Sequence, residues 1–294
     1  MKKLLSIICA GVMLFSFSAL AGCGGSDTIV IGSKDFTEQD ILGNMIYLYL
    51  KKNTDLKYEY KNEMSSNVLF EAIKKGSVDI YTDYTGTVYA NYLQHTDVKT
   101  ADEVYEISKR EIKEQFKIDM LDTLGFNNTY TLSVRKDTAS EYNLKTYSDL
   151  AAVSGELIFG GTFEILNRPD GIPGLKTKYN MNFKEEKGLD STLRYQALNE
   201  KKVDVIDAFS TDGLLKKYDL VVLTDDKQFF PPYYAVPLVR DDLITNHPEI
   251  ETLLLKLKNI LDDDTMRELN YKVDVEQQEA SVIAEDFLTE KGLI

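Results

Sequence analysis

A segment that occurs twice in the chain constrains the fold more than any other feature of the sequence. Residues 72–81 align without gaps on residues 197–206, and each segment has the pattern of a helix end, a tight turn and a buried strand. Two ordinary βα units can agree by coincidence, but two similar α/β lobes explain the match as well. The same offset pairs Tyr84 with Phe209, which places one aromatic residue at the end of an equivalent strand in each lobe.

The rest of the chain alternates short apolar runs with segments of helical pattern. The run Thr37–Asp40 is typical of a capping box and predicts a helix that ends near Lys52, and residues from Pro248 onward are mostly helical. This alternation predicts an α/β fold with largely parallel sheets, and 294 residues suffice for two lobes. Ligands bind beyond the carboxyl ends of strands in such sheets, so two facing lobes would share one cleft. The predicted strands are 28–32, 57–61, 78–81, 130–134, 157–159, 203–206, 220–223 and 234–239.

The N-terminus has the pattern of an export signal. A positively charged start (Met1–Lys3) precedes an apolar run (Leu4–Leu20). The run ends in Leu-Ala-Gly-Cys, which matches the lipobox of bacterial lipoproteins, where the cysteine, here Cys23, becomes the lipid-carrying N-terminus. We therefore expect a signal peptide over 1–22, a lipidated tether over 23–27, and attachment to the extracytoplasmic face of the cell membrane. A single transmembrane anchor is the alternative, although the run is short for a span.

The composition excludes several classes of function. Lys and Arg number 34 against 48 Asp and Glu, a net charge of −14 that repels nucleic-acid phosphates. Two histidines and two cysteines are too few for a histidine-rich zinc site or a disulfide framework, and we expect no cofactor or metal. The sequence has no nucleophile elbow, Walker loop or dinucleotide fingerprint. A hydrolase on a two-lobed scaffold stays open, because four aspartates lie near strand ends: Asp79, Asp83, Asp204 and Asp207.

Four segments combine residue types suited to a small ligand, and each has a simpler interpretation. The turn 81–87 carries hydroxyl groups and a glycine that could hold an anion or merely cap a helix, and the turn 209–213 has the same ambiguity. Arg168, in a loop, could clamp a carboxylate or lie in solvent. The aromatic segment 229–234 contains two prolines and could line a site or cover a hinge.

Six motifs, taken together, resemble those of a known family, and they occupy 32–39, 83–87, 127–130, 168–171, 207–213 and 229–233. The chain resembles the substrate-binding lipoproteins of osmoprotectant ABC importers, which take up glycine betaine, carnitine and choline. The resemblance implies a non-enzymatic receptor with the two-lobed periplasmic-binding-protein fold of the class with two crossover strands (type II). We expect one lobe to contain 28–132 and 236–294 and the other 133–235, with a permease, its ATPase and the ligand as partners of a monomer.

The resemblance also implies which residues bind the ligand. An aromatic box around a quaternary ammonium would consist of Tyr84, Tyr130, Phe209 and Tyr233. The ligand carboxylate would be held by Lys34, Thr87 and Arg168. Relatives often carry tyrosine at the position of Phe209, so this chain keeps the π face but lacks the hydroxyl. A receptor for an amino acid or another compatible solute is the alternative within the same class, although four aromatic residues would then be redundant.

Overall fold

A computed structural model describes residues 28–97 and 99–294, which form two five-stranded sheets covered by helices. The predicted signal peptide, the tether and Cys23 lie outside the described residues. The strands are β1 (Thr28–Lys34), β2 (Lys57–Met64), β3 (Ile80–Tyr84), β4 (Ile118–Met120), β5 (Tyr130–Val134), β6 (Ile158–Gly161), β7 (Glu185–Gly188), β8 (Val205–Phe209), β9 (Val221–Val222) and β10 (Ala235–Arg240).

Helices fill the connections between the strands and form the C-terminal segment. A π-helical turn (Thr87–Tyr92) follows β3, and single 3₁₀ turns cover Ser154–Glu156 and Leu255–Leu257. Within residues 28–97 and 99–294, no helix is both long and apolar enough to cross a membrane. The α-helices are α1 (Thr37–Asn53), α2 (Ser66–Lys74), α3 (Ala101–Phe116), α4 (Lys136–Glu141), α5 (Tyr147–Val153), α6 (Phe163–Asn167), α7 (Ile172–Tyr179), α8 (Leu193–Asn199), α9 (Leu214–Lys217), α10 (Asp241–Asn246), α11 (Pro248–Leu254), α12 (Asp263–Asp274) and α13 (Ala280–Glu290).

The two sheets have the same topology. The first has the strand order β2-β1-β3-β10-β4 and the second β7-β6-β8-β5-β9. The chain passes from the first sheet to the second before β5 and returns before β10, which confirms the predicted α/β architecture with two crossovers. We call the parts built on the two sheets the first and second lobe. The predicted lobe limits, 132/133 and 235/236, fall inside β5 and β10, and this finer division stays a prediction.

The prediction of largely parallel sheets is wrong, because half of the strand pairings are antiparallel. β1 pairs in parallel with β2 and β3, and β6 does so with β7 and β8. β5 and β10 run antiparallel to both of their neighbours. Each of these two strands enters its sheet after crossing from the other lobe, without the helical crossover that makes neighbouring strands parallel.

The repeated segment folds in the same way in both lobes. Each copy ends its helix with a turn residue at positive φ, Gly76 at +73° and Lys201 at +59°. In the first copy, Asp79 accepts a hydrogen bond from the amide of the neighbouring strand at 2.8 Å, and Asp204 does so in the second at 2.9 Å. These two aspartates therefore join strands at the ends remote from the cleft.

The predicted capping box at the start of α1 is wrong. Phe36 occupies the N-cap position and supplies no side-chain hydrogen bond, while Thr37 is already helical. The Thr37 hydroxyl donates instead to the Asp274 carboxylate on α12. α1 is nevertheless well anchored, because its side chains Ile41, Leu42 and Ile46 are almost fully buried in the core.

Candidate functional site

The candidate site lies where the central strands of the two sheets end and the lobes face each other. Tyr84 is the last residue of β3, and Phe209 is the last residue of β8. Tyr130 stands directly opposite Phe209 in the antiparallel β5–β8 ladder. Strand register therefore fixes one aromatic side chain beside another at the mouth of the second lobe.

Three of the four predicted box residues meet in one aromatic cluster. The Tyr130 ring lies 4.8 Å from the Phe209 ring and 5.6 Å from the Tyr233 ring, centroid to centroid, and the second pair is nearly perpendicular at 84°. Phe230, which the sequence placed only in a stiff aromatic segment, stacks on Tyr130 at 5.4 Å. Tyr84 approaches the cleft from the first lobe, where its hydroxyl donates to the Glu38 carboxylate at 2.5 Å.

Arg168 reaches the predicted site, but a neighbouring carboxylate already holds its guanidinium group. Its Nε and Nη2 atoms donate to the two oxygens of Asp170 at 2.8 and 2.6 Å. Burial would raise the pKa of Asp170, but the adjacent Arg168 outweighs it and holds this pKa below its usual range. Nη2 also contacts the Thr87 hydroxyl at 3.4 Å, and the Tyr233 hydroxyl donates to Asp170 at 2.6 Å. The pair thus links Thr87 to the aromatic cluster.

Lys34 is also paired inside the protein. Its ammonium group donates to Asp83 at 2.6 Å, and both side chains are almost fully buried. The same ammonium lies 5.1 Å from the centre of the Tyr84 ring. Tyr92 donates a second hydrogen bond to Asp83 at 2.8 Å. Both cations predicted to hold a ligand carboxylate therefore have an aspartate partner, which a ligand would have to share.

Glu38 is a central residue that the sequence indicated only as part of a helix start. Its buried carboxylate accepts hydrogen bonds from four neutral side chains, from both lobes and from a crossover segment. Burial raises the pKa of Glu38 to about 7, although those hydrogen bonds favour the charged form. The four donors are the Tyr84 and Thr211 hydroxyls and the Asn128 and Asn270 amides.

Two further residues that sequence reasoning missed contact the Phe209 ring. Phe36, from the first lobe, stacks on it with centroids 5.3 Å apart and planes 23° apart. The Arg194 guanidinium carbon lies 5.3 Å from the centre of the same ring. Arg194 is held in place by Asp207 and Asp212, at 3.2 and 2.9 Å. A tertiary contact of this kind leaves no local sequence signal.

The four aspartates that left a hydrolase open have structural partners. Asp79 and Asp204 join strands, Asp83 holds Lys34, and Asp207 pairs with the buried Arg194. Among residues 28–97 and 99–294, no group of three His, Cys, Asp or Glu side chains is placed to hold a metal ion.

The lobes touch each other near Arg168 through two neighbouring hydrogen bonds. The Ser66 amide at the start of α2 donates to Glu164 of the second lobe at 2.8 Å, and Thr87 meets Arg168. A cavity of about 250 Å³ lies between α1, α8 and α12, and a groove of about 620 Å³ lies beside it. Phe36 and Phe209 line both.

This geometry defines a class of protein: two α/β lobes, joined by two crossovers, that enclose a small aromatic site with buried ion pairs. Residues 27–290 match the family described as the substrate binding domain of the ABC-type glycine betaine transport system, and the chain belongs to this family. It is thus a substrate-binding protein of a transporter rather than an enzyme, which removes the hydrolase alternative.

Similar proteins agree with this assignment. The chain is 37% identical to the carnitine transport binding protein OpuCC of Listeria monocytogenes, over 98% of this chain and 97% of that protein. It is 35% identical to the ergothioneine transport permease/ergothioneine binding protein EgtU of Helicobacter pylori, over 90% of this chain but only 48% of that longer protein. A crystal structure described as a glycine betaine/carnitine/choline ABC transporter has a TM-score of 0.72 and 34% identity, and the match covers 90% of this chain and 99% of that one.

Proposed function

We propose that the protein captures a quaternary-ammonium osmoprotectant, namely glycine betaine, carnitine or choline, between its two lobes. The observation that carries this proposal is the aromatic cluster of Tyr130, Phe209 and Tyr233 at the mouth of the second lobe, with the Asp170 carboxylate hydrogen-bonded to one of its hydroxyls. Aromatic faces attract methylated ammonium groups, which cannot donate ordinary hydrogen bonds. Tyr84 completes the proposed box from the first lobe.

The aromatic rings alone do not supply enough free energy for tight binding. One cation–π contact contributes about 0.5–1 kcal/mol, and about 2 kcal/mol when it is desolvated. Four faces therefore contribute roughly 2–8 kcal/mol, whereas a micromolar dissociation constant requires about 8 kcal/mol after the costs of association. Tight binding of a betaine thus needs a second set of contacts to its carboxylate, and we assign these to Lys34, Thr87 and Arg168.

The buried ion pairs influence which ligands this site favours. Asp83 balances Lys34 and Asp170 balances Arg168, so neither pair adds positive charge to the site. Glu164 lies 3.8 Å from the Arg168 guanidinium group. Burial would raise the pKa of Glu164, but Arg168 and Lys34 outweigh it and lower this pKa, so Glu164 adds a negative charge. A cation without a carboxylate, such as choline, therefore meets no uncompensated positive charge. The solute named for the H. pylori relative, ergothioneine, belongs in the same ligand screen.

The family and the N-terminal sequence support a cellular setting for this activity. We propose that the protein is anchored by a lipid on Cys23 to the extracytoplasmic face of the cell membrane. As a monomer, it would deliver its ligand to a permease that a separate ATPase drives. Closure of the lobes around the ligand is the motion we expect, with β5 and β10 as the connections that bend.

A thermal-shift screen followed by calorimetric titration tests the proposal. Glycine betaine, carnitine, choline and ergothioneine are compared with glutamine, and with 3,3-dimethylbutan-1-ol, a neutral analogue of choline. A ligand at one hundred times its dissociation constant stabilises the folded protein by about 2.7 kcal/mol, which raises the melting temperature measurably. We expect a rise with at least one trimethylammonium ligand and none with the neutral analogue. A rise with glutamine alone would support the amino-acid alternative.

A further inference from the structure

Phe36 joins the two lobes through an aromatic contact. It precedes α1 in the first lobe, and its ring stacks on Phe209 of the second lobe at 5.3 Å. Phe209 also contacts Tyr130 at 4.8 Å, within the aromatic cluster. Phe36 thus touches a proposed box residue without belonging to the box itself.

Phe36 occupies the N-cap position of α1, where a phenylalanine is unusual. The residue has the extended backbone of an N-cap, φ −146° and ψ 157°, but forms no side-chain capping bond. Serine, threonine, aspartate or asparagine is preferred there, because its side chain accepts a hydrogen bond from a free backbone amide in the first turn of the helix. A residue that departs from the N-cap preference at the edge of a cleft indicates a functional role rather than a contribution to helix stability.

The cavities show what the Phe36–Phe209 pair separates. Both rings line the cavity of about 250 Å³ next to α12 and the groove of about 620 Å³ that passes Phe163 and Asp190. The aromatic cluster lies next to the pair, through the contact between Phe209 and Tyr130. Separation of the two phenyl rings would connect the cluster with both spaces.

We propose that Phe36 is an aromatic clasp that positions Phe209 and slows release of the ligand. The proposal rests on the proposed function, because it concerns the same site. When the lobes close, Phe36 stacks on Phe209, fixes the orientation of that ring toward the ammonium group, and closes the path into the groove. When the lobes open, the stack separates, because its two rings belong to different lobes. Phe36 is thus a positioning residue that acts through Phe209.

Release kinetics measured by stopped flow, with glycine betaine and with choline as probes, test the clasp. An aromatic pair contributes about 0.5–1.5 kcal/mol, so Phe36→Ala is expected to accelerate release about two- to tenfold. Phe163→Ala is the matched control, because this exposed ring lines the same groove from the second lobe. We expect Phe163→Ala to leave the release rate within twofold of the wild-type value.

Two more variants separate positioning from a structural role. Phe36→Ser introduces a preferred N-cap residue, so the melting temperature of the ligand-free protein should stay the same or rise while release becomes faster. In a Phe209→Ala background, Phe36→Ala should have no further effect on release, because the residue through which it acts is gone.

The outcomes distinguish the clasp from the proposed function. If the wild-type protein binds neither probe and does not bind carnitine, both proposals are overturned. If it binds and Phe36→Ala releases ligand at the wild-type rate, only the clasp is overturned. A lower melting temperature in Phe36→Ser with unchanged release, or a full effect of Phe36→Ala in the Phe209→Ala background, would also overturn it.

Discussion

The Thr211 hydroxyl donates a hydrogen bond to Glu38 Oε2 at 2.5 Å and thereby joins the first turn of α1 to the turn that follows β8 in the other lobe. The same carboxylate accepts from Tyr84, from Asn128 just before β5, and from Asn270 on α12. One buried acidic group thus connects the two lobes with the segment that leads into β5. All four donors are neutral, so none of them compensates the negative charge of Glu38.

Glu38 should make the stability of the folded protein depend on pH. Its pKa is about 7 in the folded protein against 4.5 for an ordinary glutamate, so the folded state binds its proton more tightly. The contribution of Glu38 to the free energy of unfolding is therefore largest below pH 4.5 and falls as the pH rises toward 7. The slope approaches about 1.4 kcal/mol per pH unit.

Urea unfolding at several pH values between 4.5 and 7.5 measures this effect. Glu38→Gln should abolish most of the decline between pH 5 and 7, whatever its effect on absolute stability. Burial also raises the pKa of the nearby Asp274, to about 6, so a smaller decline should remain in Glu38→Gln. Asp274→Asn is the matched variant. Equal pH dependence in Glu38→Gln and the wild-type protein would contradict the prediction.

Arg168→Ala should weaken glycine betaine more than choline. A hydrogen bond to a charged group contributes about 1.5–3 kcal/mol, which corresponds to roughly a ten- to hundredfold loss for the betaine. Choline has no carboxylate to lose. Calorimetric titration of both ligands provides the comparison, and equal losses would show that Arg168 acts only through the shape of the site.

The same substitution should also destabilise the protein, because it leaves Asp170 buried without its partner. Breaking a buried ion pair costs about 3–5 kcal/mol, which a melting experiment without ligand will detect. Arg168→Ala combined with Asp170→Asn removes both charges and should recover part of the stability without recovering betaine affinity. Recovery of affinity in the double variant would argue against a carboxylate contact at Arg168.

Phe209→Leu should weaken binding of trimethylammonium ligands while Phe209→Tyr is tolerated. Leucine keeps apolar bulk but lacks the negative π face, so the expected loss is about 0.5–2 kcal/mol. Titration with choline and with its neutral tert-butyl analogue separates electrostatic attraction from contact area. If phenylalanine and leucine bind choline equally, Phe209 serves only in packing.

Cys23→Ala should change where the protein is found in the cell. The lipobox predicts that wild-type protein carries a lipid and sediments with membranes. The variant should be released or incorrectly processed, as fractionation and mass spectrometry of the N-terminus will show. Unchanged lipidation in Cys23→Ala would rule out this site of attachment.

The sequence predicted the parts of the fold that depend on local pattern. The repeated segment folds alike in both copies, and the predicted strand 130–134 matches β5. The antiparallel positions of β5 and β10 were missed because they depend on where the chain crosses between lobes, which no local pattern records. Periodicity likewise shows that a strand is buried but not which strand lies beside it.

The sequence indicated which residue types meet at the candidate site but not which side chains contact each other there. Tyr130, Phe209 and Tyr233 lie together, but the sequence did not indicate that Asp170 and Asp83 pair with the two cations. Charged pairs of this kind form from side-chain directions that only the folded backbone fixes. Phe36 and Glu38 were missed as well. In the sequence they indicate only the start of a helix, and their contacts with the other lobe depend on the folded backbone.

The position of β10 between β3 and β4 has a consequence for how the chain folds during synthesis. β4 pairs with β10 rather than with β3, so the first sheet cannot be completed until residues 235–240 are present. During translation, the N-terminal half therefore emerges without the strand that completes its own sheet. The order of strands in this sheet therefore delays completion of the first lobe until most of the chain has been synthesised.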